Sequence, residues 1–238
     1  EVISKIWVYL KTFFYPRTNQ LIVQTKDIKS YFQDFVKANR IKIIKNPLAP
    51  ELTAKRDLSK KKELLILNIG RLDNQKCQDL LIKAFANIPH KDWNLIIIGE
   101  GDNRQRYQNL INDLHLTNKV FLKGNITKVE DYYNTASLFV FTSRYEGYPN
   151  ALTEAMFFGL PSISTNCPSG PAELISDSEN GFLIPVDNQE MLETKMKILM
   201  ENKNLRNYFS TNALKSTVGF EVDQITQQWK STINNVLQ

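Results

Sequence analysis

Ser143-Arg-Tyr-Glu146-Gly147-Tyr148-Pro149-Asn150-Ala151-Leu152-Thr-Glu154-Ala-Met-Phe157 follows an apolar run, Ser137-Leu-Phe-Val-Phe141. It leads into Ala151 to Phe158, rich in helix formers, with Ala, Leu and Met at helical spacing. The stretch therefore reads as a strand–loop–helix junction. Gly147 permits backbone conformations closed to other residues, and Pro149, with φ near −65°, is expected to prepare the helix start. A helix beginning there presents unpaired N–H groups and a positive dipole end, which favours an anion such as phosphate.

Glu146 and Glu154 flank that junction, and two readings of them stand. In one, Glu146 is a surface loop residue and Glu154 a first-turn Glu that complements the dipole. In the other, both carboxylates turn toward one cleft. Carboxylates repel an anion, so there they are better explained as acceptors for neutral sugar hydroxyls.

Around this junction, strands and helices alternate. Predicted strands are Leu64–Ile69, Trp93–Ile98, Lys119–Leu122, Leu138–Thr142, Ser162–Ser164 and Phe182–Ile184, with helices between them and three more from Gln189 to Gln238. The pattern specifies an α/β fold, a Rossmann-like parallel sheet with helices on both faces. In such open sheets ligands bind beyond the carboxyl ends of the strands, where every Gly-containing loop of this chain falls. Upstream, residues 1–18 read as an aromatic and basic helix ended near Pro16 (Trp7, Tyr9, Phe13, Phe14 and Tyr15 with Lys5, Lys11 and Arg17), which can lie on an anionic membrane surface but is expected to pack on the protein's own core. A short strand at Leu21–Thr25, an amphipathic helix from Asp27 to Ala38 and a strand at Ile41–Ile44 follow.

On the loop after the first strand of the alternating region, Gly70 precedes Arg71 and Lys76. Arg offers a fork of donors for phosphate oxygens and Lys a mobile point charge, so the pair can hold a diphosphate and stabilise it as it leaves. Gly99-Glu100-Gly101 is read as the wall beside a nucleoside. A nicotinamide-dependent enzyme would require G-x-G-x-x-G after the first strand, and Gly70-Arg-Leu-Asp-Asn-Gln lacks it.

The 238 residues are 42% hydrophobic, ample for a core, and no apolar run is long enough for a membrane span. A net charge of +5 suits an anionic ligand or membrane surface. Lys55, Arg56, Lys60, Lys61 and Lys62, which supply part of it, are read as a solvated linker. Cys77 and Cys167 are too few for a disulfide framework, which fits a reducing compartment. His90 and His115 are isolated and there is no Asp-x-Asp triplet, so neither a metal nor another cofactor is expected.

Glu146-Gly-Tyr-Pro-Asn-Ala-Leu-Thr-Glu154-Ala-Met, with Gly159-Leu-Pro161 and Gly170-Pro-Ala-Glu173, resembles the E-x7-E region of the retaining glycosyltransferases of the GT-B fold, the family 4 type. Gly70-Arg71-Leu72 with Lys76, and Ile98-Gly99-Glu100-Gly101, extend the match to about residues 40–236. The Gly-Pro-Ala-Glu version departs from the more usual Gly-Gly before the Glu.

The resemblance implies the C-terminal donor domain of a GT-B fold over residues 46–220, with 1–45 the tail of an acceptor-binding domain and 221–238 a helix packing back toward it. The chain begins at Glu1 without Met, so most of the N-terminal domain is expected to be missing. The resemblance also carries Arg71 and Lys76 to the donor diphosphate, Glu146 to the sugar hydroxyls and Glu154 to the ribose hydroxyls. Backbone at Asn125 and Ile126 would meet the base, and amides from Gly147 to Leu152 the sugar and phosphate. Tyr148 and Asn150 are positions that vary with donor. The implied function is metal-independent transfer of a hexose or N-acetylhexosamine from a UDP-sugar to a glycan or lipid-linked acceptor, with retention, in bacterial surface polysaccharide biosynthesis. A nucleotide-sugar-binding module without turnover is the alternative. The implied setting is cytoplasmic, with peripheral contact at the inner membrane face and no nucleic-acid partner.

Overall fold

The computed structural model describes residues 2–237. The chain divides into two units, one formed by the segments up to Ala49 and from Gly219 onward, the other by Pro50–Val218. The expectations for Glu1, the Lys5 side chain and Gln238 lie outside the described residues.

In the first unit, α1 (Val2–Phe14) is followed by β1 (Leu21–Val23), α2 (Lys26–Phe32) and β2 (Ile41–Ile43). β1 and β2 pair in parallel, Leu21 opposite Ile41. Val23, Val36 and Ile41 form the core of this unit. Two expectations need correction here. The helix predicted from Asp27 to Ala38 stops at Phe32, because Phe35 and Val36 turn back by donating their amides to the Phe32 carbonyl, which buries Val36 in that core. Nor do most aromatics of the first segment pack on that core: Trp7, Tyr9, Phe13 and Phe14 are exposed, while Tyr15, just beyond α1, packs against it.

The second unit opens with α3 (Pro50–Thr53), a single turn, then β3 (Leu65–Ile69), α4 (Gln78–Asn87), β4 (Asn94–Ile98), α5 (Arg104–Asp113) and β5 (Val120–Leu122). It continues with α6 (Val129–Thr135), β6 (Leu138–Phe141), α7 (Asn150–Phe157), β7 (Ser162–Thr165), α8 (Pro171–Leu174), β8 (Gly181–Ile184), α9 (Gln189–Glu201) and α10 (Lys203–Ser216). The last helix, α11 (Val222–Leu237), belongs to the first unit.

All neighbouring strands of the second unit are parallel, in the order β5-β4-β3-β6-β7-β8. The chain starts at the centre, works outward through β4 and β5, then crosses back to lay β6 beside β3. That reversal is the switch point where open α/β sheets bind ligands.

Each face of β6 meets different partners, as side chains alternate along a strand. Leu138 and Val140 join the cluster that contains Leu81 and Phe85 of α4 and Leu192 and Met196 of α9. Phe139 packs near Tyr133 of α6, which stacks on Phe158. Burial on both faces explains why these strands read as unbroken apolar runs.

β3 and β6 pair over two residues only, Ile66 with Leu138 and Leu67 with Phe139. Beyond them the buried Asn68 sends its side-chain amide to the Val140 carbonyl at 2.8 Å, replacing a ladder bond. The sheet is thus parted at its switch point.

The basic linker carries contacts that its sequence did not show. Lys55 pairs with Glu130 at 2.6 Å, and Arg56 donates to the Phe157 carbonyl at 3.0 Å while lying over that ring. The Lys62 ammonium donates to the Tyr133 carbonyl at 3.3 Å. All five basic residues nevertheless remain exposed, as expected of a solvated segment.

Candidate functional site

Five loops leave the carboxyl ends of β3 to β7, and hydrogen bonds join them. After β3 and β4, Gly70 donates to the Ile98 carbonyl and Gly99 to the Gly124 carbonyl, each at 3.0 Å. A Cβ on Gly99 would stand 2.1 Å from the Gly70 oxygen, and one on Gly101 2.4 Å from the Leu72 oxygen. These two glycines let backbone approach backbone. Glu100 is exposed and pairs with Arg104 at 2.9 Å. Asn125 is exposed and Ile126 half-buried on the loop after β5.

The loop after β3 is organised by Asp73, a residue sequence reasoning missed. One carboxylate oxygen accepts the Lys76 amide at 2.9 Å and the other the Arg71 guanidinium at 2.5 Å. Burial would raise the Asp73 pKa, but the Lys76 amide and Arg71 outweigh it and hold the carboxyl below its ordinary range. Arg71 itself is largely exposed.

The loop after β6 is strapped to the first. Thr142 donates to the Lys76 carbonyl at 2.8 Å. Arg144 donates its amide to the Gln75 carbonyl and its guanidinium to the Asn74 carbonyl, both at 2.8 Å, while its Nε binds Asp187. Gln75 reaches back to the Tyr145 carbonyl at 2.8 Å. Lys76 Nζ meets Glu146 Oε1 at 2.6 Å, and the two side chains retain 20% and 6% of their exposure. The structure therefore brings Lys76 and Glu146 together, a pairing the separate readings of the two residues did not contain.

Pro149 is not the first helical residue. It occupies the N-cap of α7 with φ −84° and ψ 70°, and Thr153 donates its amide to the Pro149 carbonyl at 3.0 Å. The Asn150 amide is taken by the Tyr148 carbonyl. Among the described residues, those of Ala151 and Leu152 have no backbone acceptor. Gly147 also departs from expectation: it has no left-handed φ, and nothing lies within 4 Å of the Cβ it lacks. The residue that needs to be glycine is Gly170 on the loop after β7, with φ 125° and a Cβ position 2.4 Å from Pro149 Cδ. Tyr148 turns its hydroxyl inward, and burial pushes its pKa up to about 12.

Glu154, one turn into α7, accepts the Tyr133 hydroxyl at 2.8 Å. Burial raises its pKa, against the lowering effect of that hydrogen bond. Tyr133 was not visible as a site residue, because its approach to Glu154 is a contact between α6 and α7 that sequence spacing does not relate. Chemically, the arrangement offers two cations and two open helix amides to an oxyanion, with two carboxylates to accept hydroxyls.

A family model described as glycosyl transferases group 1 matches residues 51–216. The chain is 31% identical over 98% of its length to a Campylobacter jejuni protein, the GalNAc-alpha-(1->4)-GalNAc-alpha-(1->3)-diNAcBac-PP-undecaprenol alpha-1,4-N-acetyl-D-galactosaminyltransferase, and spans 64% of it. It is 28% identical over 94% of its length to the amylovoran biosynthesis glycosyltransferase AmsD of Erwinia amylovora, spanning 65% of that protein. Among solved structures, an S. aureus TarM mutant in complex with fondaparinux, alpha-GlcNAc-glycerol and UDP superposes with a TM-score of 0.83 at 25% identity, over 95% of this chain and 46% of that one.

Proposed function

Because the chain belongs to the glycosyl transferases group 1 family, with the α/β fold of the GT-B enzymes, we propose that it binds the donor of a retaining, metal-independent glycosyltransferase. The donor is a UDP-linked hexose or N-acetylhexosamine. The acceptor is a glycan or lipid-linked saccharide of bacterial surface polysaccharide synthesis, handled at the cytoplasmic face of the membrane. The observation that carries this reading is the contact between Lys76 and Glu146 across the switch point, which sets a phosphate-binding cation beside a hydroxyl-binding carboxylate.

On this proposal the uracil lies against backbone at Asn125 and Ile126, with Gly70, Gly99 and Glu100 forming the wall beside the nucleoside. Glu154 accepts the ribose hydroxyls. The diphosphate replaces Glu146 as the partner of Lys76, and Arg71 swings from Asp73 to join it. Amides of Ala151 and Leu152 complete the phosphate contacts. Glu146, released, accepts a hydroxyl of the sugar, close to Gly147, Tyr148 and Asn150. As the bond from anomeric carbon to phosphate oxygen breaks, negative charge grows on the diphosphate and positive charge on the sugar. Arg71, Lys76 and the helix amides stabilise the former, and the acceptor hydroxyl attacks on the face the diphosphate leaves.

The chain spans 64% and 65% of the length of the curated relatives above; a second reading is a nucleotide-sugar-binding module without turnover. No helix among the described residues is long and apolar enough to cross a membrane. The exposed aromatics of α1, beside Lys11 and Arg17, support peripheral membrane contact as part of the proposal.

Calorimetric titration with UDP, UDP-glucose, UDP-N-acetylgalactosamine, GDP-mannose and NAD, with EDTA present, tests the assignment. Saturable binding of a uridine ligand that vanishes in Arg71→Ala/Lys76→Ala is the expected result. A folded protein silent toward every uridine ligand would overturn it.

A further inference from the structure

The end of the sheet away from these loops carries a second set of unassigned cations. A depression of about 120 Å³ lies before the N-terminal ends of β6 and β7, with Ser137 on its floor and Lys62, Lys203 and Arg206 around its rim, joined by Asn207 and Ser210. No carboxylate lines it. By contrast, the groove between α4 and α5 mixes Asp79 and Asp113 with Lys83 and Arg106, and its charges cancel.

No carboxylate neutralises the cations at this depression, although Lys62 also donates to the Tyr133 carbonyl. Among the described residues, Lys62, Lys203 and Arg206 form no ion pair, and the side chains of Ser137, Asn207 and Ser210 make no hydrogen bond. Ser137 is 8% exposed, and it lines the depression. Lys203 and Arg206 stand in the first turn of the 14-residue α10, where the helix dipole adds positive potential. Arg206 spends part of its guanidinium on the Leu199 and Met200 carbonyls, which fixes it at the rim.

We propose that this pocket binds one tetrahedral oxyanion, a phosphate group, at a site separate from the switch point. The volume suits a single such group, and cations and hydroxyls around it can serve three or four oxygens at once. Desolvation pushes the Lys62 pKa down to about 8, so the ammonium is still charged at neutral pH and a bound anion would raise that value. The phosphate can arrive as the free ion or as the monoester of a larger molecule, since both present the same oxygens.

The test is a titration of the ¹⁵N-labelled chain with inorganic phosphate at constant ionic strength, read at the backbone amides of Ser137, Gly159 and Asn207. Saturable shifts at these amides are expected. The double variant Lys62→Gln/Lys203→Gln should weaken binding by about tenfold or more, the loss of one charge-assisted contact or both. Its own spectrum reports that it is folded, and Ser137→Ala provides an independent variant of the buried hydroxyl. A parallel titration with glycerol 3-phosphate separates the sources: tighter binding than inorganic phosphate assigns the site to a monoester, equal or weaker binding to the free ion. Absence of saturable shifts at these amides, or shifts unchanged in the double variant, would overturn the proposal.

Discussion

Lys76 Nζ lies 2.6 Å from Glu146 Oε1, a contact that joins the loop after β3 to the loop after β6 across 70 positions of sequence. Both side chains are largely shielded from water, so each charge depends on the other for its solvation. On the proposed function, a diphosphate must take Lys76 from Glu146 while the sugar takes Glu146 from Lys76. A nucleotide carrying its sugar satisfies both groups, whereas UDP satisfies only one.

Glu146→Gln should therefore bind UDP more tightly than the parent and discriminate less between UDP and the UDP-sugar. Calorimetry with the two ligands reads both effects. Lys76→Ala should cost about 2–3 kcal/mol of stability, because it strands a shielded carboxylate, and adding Glu146→Ala should recover part of that loss. Additive losses in urea denaturation would show that the pair is not coupled.

Arg71 is exposed and held by Asp73, so Arg71→Ala should leave stability nearly unchanged. Its proposed task is performed in the transition state, where removal of such a donor costs roughly 10²–10³ in rate. Donor affinity should fall far less. Equal losses of affinity for UDP and UDP-sugar, with an unchanged chemical step, would remove the residue from catalysis.

Glu154 gives the pH prediction. Burial raises its pKa in the folded chain above the ordinary 4.5, so the native state holds this proton to higher pH than the unfolded chain does. Its stabilising contribution is full below 4.5 and is lost as pH rises through the raised folded value. Glu154→Gln should melt a few degrees higher than the parent at neutral pH, with the gap closing as pH falls below that range. Its affinity for uridine ligands should drop, since the proposed ribose acceptor is lost.

Two glycines of the same site should respond oppositely to alanine. Gly99→Ala places a Cβ 2.1 Å from the Gly70 oxygen at φ 141°, and should cost about 2–4 kcal/mol. Gly147→Ala meets nothing within 4 Å and needs no unusual φ. It should leave the melting temperature nearly unchanged while weakening UDP-sugar binding, if the donor occupies that open space. Loss of stability in Gly147→Ala would mean that the loop is held by packing instead.

Fold class, element order and the loops at the strand ends were all readable from local pattern. Apolar runs in β3, β4 and β6 are strands buried on both faces, and such runs alternating with amphipathic segments specify a parallel sheet. Those signals are local and periodic, so they survive without knowledge of neighbours. Arg71 and Lys76 were legible as cations on a glycine-bearing loop at a strand end, whereas the residues alone left two readings of Glu146 and Glu154 open and only the family resemblance gave them roles.

Only the tertiary structure decided which of these groups touch. Glu146 on Lys76, Asp73 between Arg71 and the Lys76 amide, and Tyr133 on Glu154 are contacts between elements that sequence spacing does not relate. Backbone demands moved as well: Gly170 lies against Pro149 and cannot carry a side chain, whereas Gly147 is unconstrained. Helix ends shifted where burial of one side chain outweighed propensity, as Val36 shows at the end of α2. Propensity and periodicity act within a few residues, while ion pairs, steric exclusion and desolvation act through space, so the fold could be read along the chain and the arrangement of its site could not.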